Sequence, residues 1–257
     1  MEITLLNLAA SGLRTQQTRL DLIGHNLANV GTPGYRAVRA EVVDLAPGTH
    51  TFGRQSPLGL IQADDPAQGV AVTRTLQPDH PGPIVTTASA LDVALPPGVY
   101  LAVRLPDGQT AYTRNGRLQV GREGVIQSGD YPLVGNLRQP PEAGAVFVDA
   151  NGRLLAVGVE GERIVGTLPL VRFRNPEELE ALGRTLLRPT PASGAPEQLA
   201  PGSLDGLVPQ AVEASNVQME RELTLLLRAQ RAYQASVQVV RTWDELAAQT
   251  VREIGRT

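Results

Sequence analysis

The side chains that most often carry enzymatic chemistry are few in this sequence and lie in unrelated contexts. The three histidines, His25, His50 and His80, form no metal-binding pair of the HxxxH kind. Asp64 and Asp65 are adjacent carboxylates, and adjacent residues seldom face one site, so a solvated turn is the simpler interpretation. These residue types therefore predict neither acid–base nor metal chemistry.

Patterns for a nucleophile or a phosphate site are equally weak. Ser11 and Ser193 each precede a glycine, but neither lies in a GxSxG elbow. The glycine-rich stretch 158–166 predicts a hairpin, because no helix with a GK[ST] sequence follows it. Arg114 and Arg117 flank an Asn-Gly pair, which predicts a type I′ hairpin turn with two solvated arginines rather than an anion site. The sequence thus predicts a protein that is not an enzyme, with no catalytic, cofactor-binding or metal-binding residue.

Composition narrows the possible partners. The chain has 257 residues and a net charge of −3, with no long run of one sign, which argues against nucleic acid and against an anionic membrane surface. It has no cysteine, and all 23 basic residues are arginine. We recognise no signal peptide and no run of 18 apolar residues, so these rules alone would predict a cytoplasmic protein.

The last forty residues form the longest regular pattern in the chain. Apolar residues recur there at alternating steps of three and four, which predicts a long helix with a heptad seam. Ser215 followed by Gln218 predicts a capping box at its start. The seam consists of Met219, Leu223, Leu226, Tyr233, Val237, Val240, Ala247, Val251 and Ile254, with Gln230 and Asp244 at its two polar positions.

The N-terminus carries a matching pattern, and we expect the two ends to pair as a coiled coil. Its seam consists of Leu6, Ala9, Leu13, Leu20, Ile23, Leu27 and Val30, with Gln16 at the polar position. The predicted helix covers residues 3–30 and ends at Gly31, a candidate left-handed cap. Further apolar residues lie off the C-terminal seam: Leu225, Leu227, Val239, Trp243 and Leu246. They would pack either against other copies of the chain or against its own middle.

The middle of the chain changes to a period of two. Short apolar stretches separated by turn sequences predict an antiparallel all-β domain over residues 70–205, inserted between helical segments 1–69 and 206–257. Asn175 and Pro176 predict a short helix to about Leu182. Residues 36–69 have no sustained period, and 37–45 (AVRAEVVDL) could form a short helix or a strand. The predicted fold class is α+β.

Four segments resemble one family. The helix end 26–36 (NLANVGTPGYR) and the run 213–246 resemble the terminal signatures of the flagellar rod, hook and hook-associated axial proteins, and segments 105–135 and 172–196 resemble the β-domain of the rod proteins. The order of motifs is most similar to the distal rod proteins and next to the proximal ones, although residues 96–100 and 45–69 depart from the pattern. The matching signature positions are Asn26, Leu27, Ala28, Asn29, Thr32, Gly34, Tyr35, Ser215, Asn216, Gln230, Arg231, Ala232 and Tyr233.

The resemblance implies a structural subunit of the flagellar basal-body rod that transmits torque. Paired terminal helices would form an inner tube and the β-domain an outer layer. Its partners would be other copies of itself, other rod and hook proteins and the flagellar export apparatus, with no nucleic acid and no small-molecule substrate. It would leave the cytoplasm without a cleaved signal peptide and reside in the basal body in the cell envelope. The expected assembly interface consists of Leu6, Leu13, Leu20, Ile23, Leu27, Leu223, Leu226, Tyr233, Val237, Val240 and Val251.

Two other classes of protein remain open from the sequence. An exported enzyme could be carried on axial-type helices, and it would need a catalytic set that we do not find. A monomeric binding module could use the β-domain as its receptor, and its terminal helices would then bury all their apolar surface within one chain.

Overall fold

The computed structural model describes residues 2–45, 69–76, 80–158, 161–200, 202 and 206–254. The fold is α+β, with one long helix near each end and strands between them, as predicted. The helices are α1 (Glu2–Ala28) and α2 (Met219–Ile254). The strands are β1 (Arg39–Leu45), β2 (Gly69–Leu76), β3 (Ile84–Thr86), β4 (Val93–Ala94), β5 (Val99–Arg104), β6 (Thr110–Thr113), β7 (Leu118–Val120), β8 (Ile126–Ser128), β9 (Tyr131–Pro132), β10 (Ala145–Val148), β11 (Arg153–Gly158), β12 (Gly161–Thr167), β13 (Leu170–Arg172), β14 (Glu180–Gly183), β15 (Leu186–Arg188), β16 (Glu197–Gln198), β17 (Val208–Pro209) and β18 (Ala211–Glu213).

The chain divides into two compact units. The helical unit consists of Met1–Ala28, Val38–Gln77 and Gln218–Thr257, and the β unit of Asn29–Ala37 and Pro78–Val217. The sequence placed residues 29–37 and 206–217 with the helices and 70–77 with the strands. The difference arises because β2 pairs with β1 inside the helical unit, whereas the two signature segments next to the helices form hydrogen bonds inside the β unit.

Within the helical unit, α1 and α2 contact each other and run antiparallel. The position of a Cβ on Gly12 lies 4.0 Å from the Ser236 hydroxyl, and Asn26 donates a hydrogen bond to Glu222 over 3.4 Å. Gly12 and Asn26 lie fourteen residues apart on α1, and Glu222 and Ser236 lie fourteen residues apart on α2. The two helices therefore keep one register over this length. The ambiguous segment 37–45 contains strand β1, which pairs antiparallel with β2 from Arg39↔Leu76 to Leu45↔Gly69. The rest of the ambiguous stretch, residues 46–68, lies outside the described residues.

The predicted capping box at the start of α2 is wrong. The helix begins at Met219, and the Gln218 carbonyl accepts the first intrahelical hydrogen bond, from the Glu222 N–H, so Gln218 is the N-cap residue. Ser215 instead accepts from the Val217 N–H two residues on. At 36 residues, α2 is roughly 54 Å long.

The end of α1 also differs from the prediction. The helix ends at Ala28, and the left-handed glycine of the following turn is Gly34, at φ 69, rather than Gly31. Thr32 donates its N–H to the Asn29 carbonyl, and Tyr35 donates to the Thr32 carbonyl. These two bonds form a tight turn. The chain therefore leaves the helix here, and residues 29–37 belong to the β unit.

The β unit is built on a six-stranded antiparallel sheet in the order β14-β15-β6-β5-β13-β16. Two three-stranded sheets, β7-β8-β9 and β10-β11-β12, accompany it, and β3 and β4 pair with β18 and β17. The largest side chains of the core are fully buried because the strands present them on one face: Val93, Val99, Leu101, Val103, Ile126 and Leu154. On the opposite face of the central strands, Phe173 meets the rings of Tyr100 and Tyr112 edge-on.

Two local predictions in the β unit are wrong. The Asn115-Gly116 pair does not form a hairpin, because β6 and β7 on its two sides belong to different sheets. The Gly116 carbonyl instead accepts the Val93 N–H at 2.9 Å. The helix predicted to reach Leu182 is a single 3-10 turn, Pro176–Glu178, followed by strand β14. Asn175 occupies the N-cap position of that turn, as predicted, but its side chain makes no capping hydrogen bond and donates to the Ala192 carbonyl. The Asp107-Gly108 and Asn151-Gly152 turns connect paired strands.

Within the described residues, no helix combines the length and apolar character needed to cross a membrane.

Candidate functional site

One buried carboxylate, Glu213, joins the two terminal signatures inside the β unit. Its side chain is 3% exposed. Arg36, from the turn after α1, donates to Oε1 through Nε and Nη2, both at 3.4 Å. The Gly82 N–H donates to the same oxygen over 3.2 Å. The backbone carbonyl of Glu213 accepts the Gly34 N–H at 2.7 Å, so both signature segments depend on this one residue.

Arg114 holds the other oxygen of this carboxylate. It donates to Oε2 through Nε, at 2.8 Å, and through Nη2. Its remaining N–H groups donate to the backbone carbonyls of Leu95, Pro96 and Val99 at 2.7–3.1 Å. The guanidinium therefore has all five of its donors occupied, as a buried arginine requires. Arg114 is 2% exposed, so the prediction that it is solvated is wrong, while Arg117 is exposed as predicted.

The cluster of Arg36, Glu213 and Arg114, here called the Glu213 cluster, carries two positive charges and one negative charge away from water. Burial and then the charge of Arg114 lower the pKa of Arg36 below its ordinary value, while Glu213 opposes this change. Tyr100 lies beneath Arg114, with its ring centroid 5.6 Å from the guanidinium carbon, and burial raises the pKa of its hydroxyl. Glu213 is the negative charge that faces both arginines, so its removal would be costly here.

Gly34 lets the first signature approach this cluster. Its φ of 69° lies in the left-handed region, and a Cβ at this position would lie 2.5 Å from the backbone carbon of Arg114. Both constraints select glycine at this position. Tyr35 follows it and is buried with Ala37 and Val217.

Asn216 fastens three segments of the β unit together. Its Oδ1 accepts the Ala37 N–H at 2.7 Å, and its Nδ2 donates to the His80 carbonyl at 2.8 Å. Its own N–H donates to the Tyr35 carbonyl at 3.4 Å. Ser215, the neighbouring signature residue, is buried. The resemblance singled out these signature residues, and the structure gives them a positioning role in the backbone.

In the helical unit, Asn26 anchors strand β1 to α1. Its side chain exchanges two hydrogen bonds with the backbone of Val38, donating at 2.9 Å and accepting at 2.8 Å. It also donates to Oε2 of Glu222 at 3.4 Å. Glu222 is 1% exposed, and its other oxygen, Oε1, lies 3.6 Å from Nη2 of Arg39 without a hydrogen bond.

A cleft of about 460 Å³ opens beside Glu222 between α1, β1 and α2. Its apolar walls come from Leu22, Ile23, Leu225, Ala229 and Ala232. Its polar lining includes three arginines, Arg19, Arg39 and Arg228, with Gln16, Asn26 and Glu222. Arg19 and Arg228 form no ion pair with another described residue, which leaves the cleft with an excess of positive charge.

The face of α2 that meets α1 is displaced by about one residue from the predicted seam. It includes Glu222, Leu225, Ala229, Ala232 and Ser236, again at steps of three and four. Small side chains on this face let the helices approach closely. Leu223 and Tyr233, from the predicted seam, are consequently 43% and 36% exposed in the single chain.

The remaining predicted interface residues are divided between the helices. Ile23 is buried, and Leu13, Leu20, Leu27, Leu226, Val237 and Val240 are partly buried. The side chains of Leu6 and Val251 lie outside the described residues. Of the signature residues on α2, Gln230 and Arg231 are exposed, and Ala232 lines the cleft. Contact between copies through these residues stays a prediction.

Several large apolar side chains of α2 face solvent. Met219, Leu223 and Leu227, at steps of four, are 46%, 43% and 55% exposed. Val239 and Leu246 are exposed farther along the helix. A surface this apolar on a single helix is typical of an interaction site. Among the described residues, no group of three or more His, Cys, Asp or Glu side chains is arranged to hold a metal ion.

Sequence models of three flagellar families match this chain in the same order as its elements. Residues 6–36 match "Flagella basal body rod protein", 98–156 match "Flagellar hook protein FlgE/F/G D1 domain", and 208–253 match "Flagellar basal body rod FlgEFG protein C-terminal". The flagellar basal-body rod protein FlgG of Caulobacter vibrioides is 34% identical over 95% of this chain and 97% of its own length. The chain belongs to the flagellar basal-body rod protein family.

Other relatives extend across distant bacteria. The FlgG protein of Bacillus subtilis is 29% identical over 94% of this chain, and the FlgF protein of Mesorhizobium japonicum is 26% identical over 97% of it. Each comparison spans both helices and the strands between them. The resemblance seen in the terminal signatures therefore holds for the whole rod-protein chain.

The residues that sequence reasoning missed are the charged ones. Glu213 is the one charged residue in the stretch AVEASNV. A single acid that directly follows two apolar residues could have indicated a buried carboxylate. Arg36 lies within the signature that carried the resemblance, but its partner is 177 residues away. Nothing local to Arg114 distinguishes a buried guanidinium from a solvated one.

Proposed function

We propose that this chain is a structural subunit of the flagellar basal-body rod that self-assembles through α1 and α2 into the axial tube. The observation that carries the proposal is the match to rod-protein families at both helices, together with the exposed apolar side chains on α2. A subunit that must pack against its neighbours needs such a surface, whereas a monomeric module would bury it.

The antiparallel contact of α1 with α2 supports their pairing as a coiled coil. The contacting positions of α2 step by three and four, from Glu222 to Ser236, as a heptad seam does. The buried polar residues Thr15, Asn26 and Glu222 would fix the register of the pair, since polar groups in such a seam tolerate few alternative alignments. The predicted assembly residues on the exposed side would then contact other copies.

The partners and location follow from the same assignment. The subunit would bind other copies of itself and other rod and hook proteins, and it would reach the basal body through the flagellar export apparatus without a cleaved signal peptide. Identities of 34% to a FlgG protein and 26% to a FlgF protein favour a FlgG-type subunit. The assignment to the distal rather than the proximal rod stays a prediction.

Deletion and replacement of the gene in its own bacterium would test this function. A strain without the gene should not swim and should lack a complete rod in electron micrographs of isolated basal bodies. A plasmid copy with an epitope tag should restore both and place the tag in purified basal bodies. A deletion strain that swims normally, or a tag that stays in the cytoplasm of swimming cells, would contradict the proposal.

A further inference from the structure

The last part of the β unit, residues 207–217, lies inside the unit rather than on its surface. Four side chains of this part, here called the closing segment, are buried: Leu207, Ala211, Val212 and Glu213. Its strands β17 and β18 pair with β4 and β3. Among the described strands, β3 and β4 have no other partner. The closing segment therefore completes the β unit.

The contacts of the closing segment join residues that lie far apart in the sequence. Glu213 is 99 residues from Arg114, 131 from Gly82 and 177 from Arg36. The sheets β7-β8-β9 and β10-β11-β12, in contrast, consist of strands that follow one another directly along the chain. Because the entropic cost of closing a loop rises with its length, we expect the contacts of Glu213 to form later than the local hairpins.

The charges of the Glu213 cluster favour the same order. Arg36 and Arg114 are 4% and 2% exposed, and Glu213 is the negative charge that faces both. Before Glu213 arrives, burial of either guanidinium would remove it from water without this counter-charge. We therefore expect both arginines to stay solvated until the closing segment is in place.

We propose that the closing segment is the last part of the β unit to fold, so that its docking closes the unit. Because a chain is synthesised from its N-terminus, the unit then stays open until residues 207–217 have been made. This order of folding is independent of what the protein does. Its use in a subunit that folds only after it reaches the rod would rest on the proposed function.

Matched leucine substitutions in the full-length protein test the order of folding. Leu207 and Leu154, which lies on β11, are buried in the same hydrophobic core. Leu207→Ala and Leu154→Ala should each lower the folding equilibrium constant by about thirtyfold or more. Refolding and unfolding rates are measured after urea jumps by near-ultraviolet circular dichroism. The parent and both variants carry Trp243→Phe, which removes the one tryptophan, on α2, from the signal.

The two leucine variants should differ in the rate that changes. If the closing segment docks after the transition state, Leu207→Ala should speed unfolding by about tenfold or more and slow refolding by less than about threefold. Leu154→Ala should slow refolding by about fivefold or more, because β11 belongs to a sheet of consecutive strands.

Two results would overturn the inference. One is refolding that Leu207→Ala slows as much as Leu154→Ala does, since the closing segment would then dock in the transition state. The other is unchanged refolding in both variants, since β11 would then form no earlier than the closing segment. Neither result bears on whether the protein assembles into a rod, so the proposed function would stand.

A second matched pair keeps the test decisive if a leucine variant fails to fold. Val212→Ala in β18 and Val103→Ala in β5 remove less apolar volume, again from buried positions. Strand β5 pairs with β6 across the short Asp107-Gly108 turn, so Val103→Ala should slow refolding. Val212→Ala should speed unfolding and change the refolding rate by less than about twofold. Equal slowing of refolding in this pair would contradict the proposal.

Discussion

Glu213 illustrates how a single buried residue can determine the arrangement of segments far apart in sequence. Its two oxygens receive Arg36 and Arg114 separately, and its backbone carbonyl receives Gly34. Because both arginines are almost fully buried, their charges have no compensation from water. Removing Glu213 would take away the negative charge that faces both buried arginines, and this makes the residue important for stability.

Replacing Glu213 by glutamine should therefore destabilise the β unit strongly. The amide keeps the shape of the side chain but removes the negative charge that faces both buried arginines, so we expect a loss of about 3–5 kcal/mol in the free energy of unfolding. Urea denaturation followed by circular dichroism measures it. Asp130→Asn is the matched control, because the Asp130–Arg184 pair is largely exposed and should contribute at most about 1 kcal/mol. Similar losses in both variants would show that burial of the cluster is unimportant.

Tyr100 should make the stability of the β unit fall in alkali. Burial raises the pKa of its hydroxyl above the ordinary value of 10.0, so above that pH the unfolded chain releases this proton while the folded chain keeps it. Its contribution to stability is complete below pH 10 and decreases as the pH rises further. Tyr100→Phe should reduce this decrease, as measured by urea unfolding between about pH 9 and 11. An unchanged pH dependence in the variant would assign the effect elsewhere; Tyr112, whose pKa burial also raises, is the next candidate.

At the scale of elements, the turn after α1 depends on the conformation of one glycine and on its close approach to Arg114. Gly34 and Gly108 both have φ in the left-handed region, but a Cβ on Gly34 would collide with the Arg114 backbone, whereas a Cβ on Gly108 would meet nothing within 4 Å. Substitutions at the two positions share the backbone strain, and only the substitution at Gly34 adds a steric collision.

Gly34→Ala should consequently cost much more stability than Gly108→Ala. The backbone strain shared by both substitutions is about 1 kcal/mol. At Gly34 the added Cβ would also displace the backbone of Arg114, which belongs to the Glu213 cluster. Thermal unfolding of both variants measures the difference. Equal melting temperatures would mean that the turn adjusts freely and that the close approach is not required.

The elements also show what sequence patterns can and cannot determine. The heptad spacing predicted both long helices, and alternation with turn residues predicted most strands, because these patterns reflect burial along one element. The predicted seam of α2 lies about one residue away from the face that meets α1, because hydrophobicity does not identify Glu222 and Ala229 as seam residues. Arg114 was predicted to be solvated because its burial depends on carbonyls of residues 95–99. A contact that depends on distant residues leaves no local pattern.

At the scale of the molecule, the segment that holds Glu213 belongs to the β unit. A fragment of residues 78–217 keeps β18, Glu213 and Arg114, whereas a fragment of residues 78–208 loses the first two. The longer fragment should unfold cooperatively with β-type circular dichroism, and the shorter one should be less stable because Arg114 loses its counter-charge. If the shorter fragment is equally stable, the carboxyl-terminal part of the unit is dispensable.

The exposed apolar residues of α2 lead to a prediction for the free subunit. A long helix with only part of its apolar surface covered is weakly stabilised, so hydrogen exchange in a dilute monomer should show weak protection over residues 2–28 and 219–254. The core strands should exchange slowly, and assembly should raise protection of the helices. Strong protection of both helices in the monomer would show that contacts within one chain suffice.

Asn216 has a mechanical consequence. Ala37, His80 and Asn216 lie within two residues of three of the four points at which the chain passes between the units, and the Asn216 side chain holds all three segments together. A segment held only by its own backbone can move without its neighbours. Three segments joined through one amide side chain must instead move together, so we expect tension on any one of them to be shared by the other two inside the β unit.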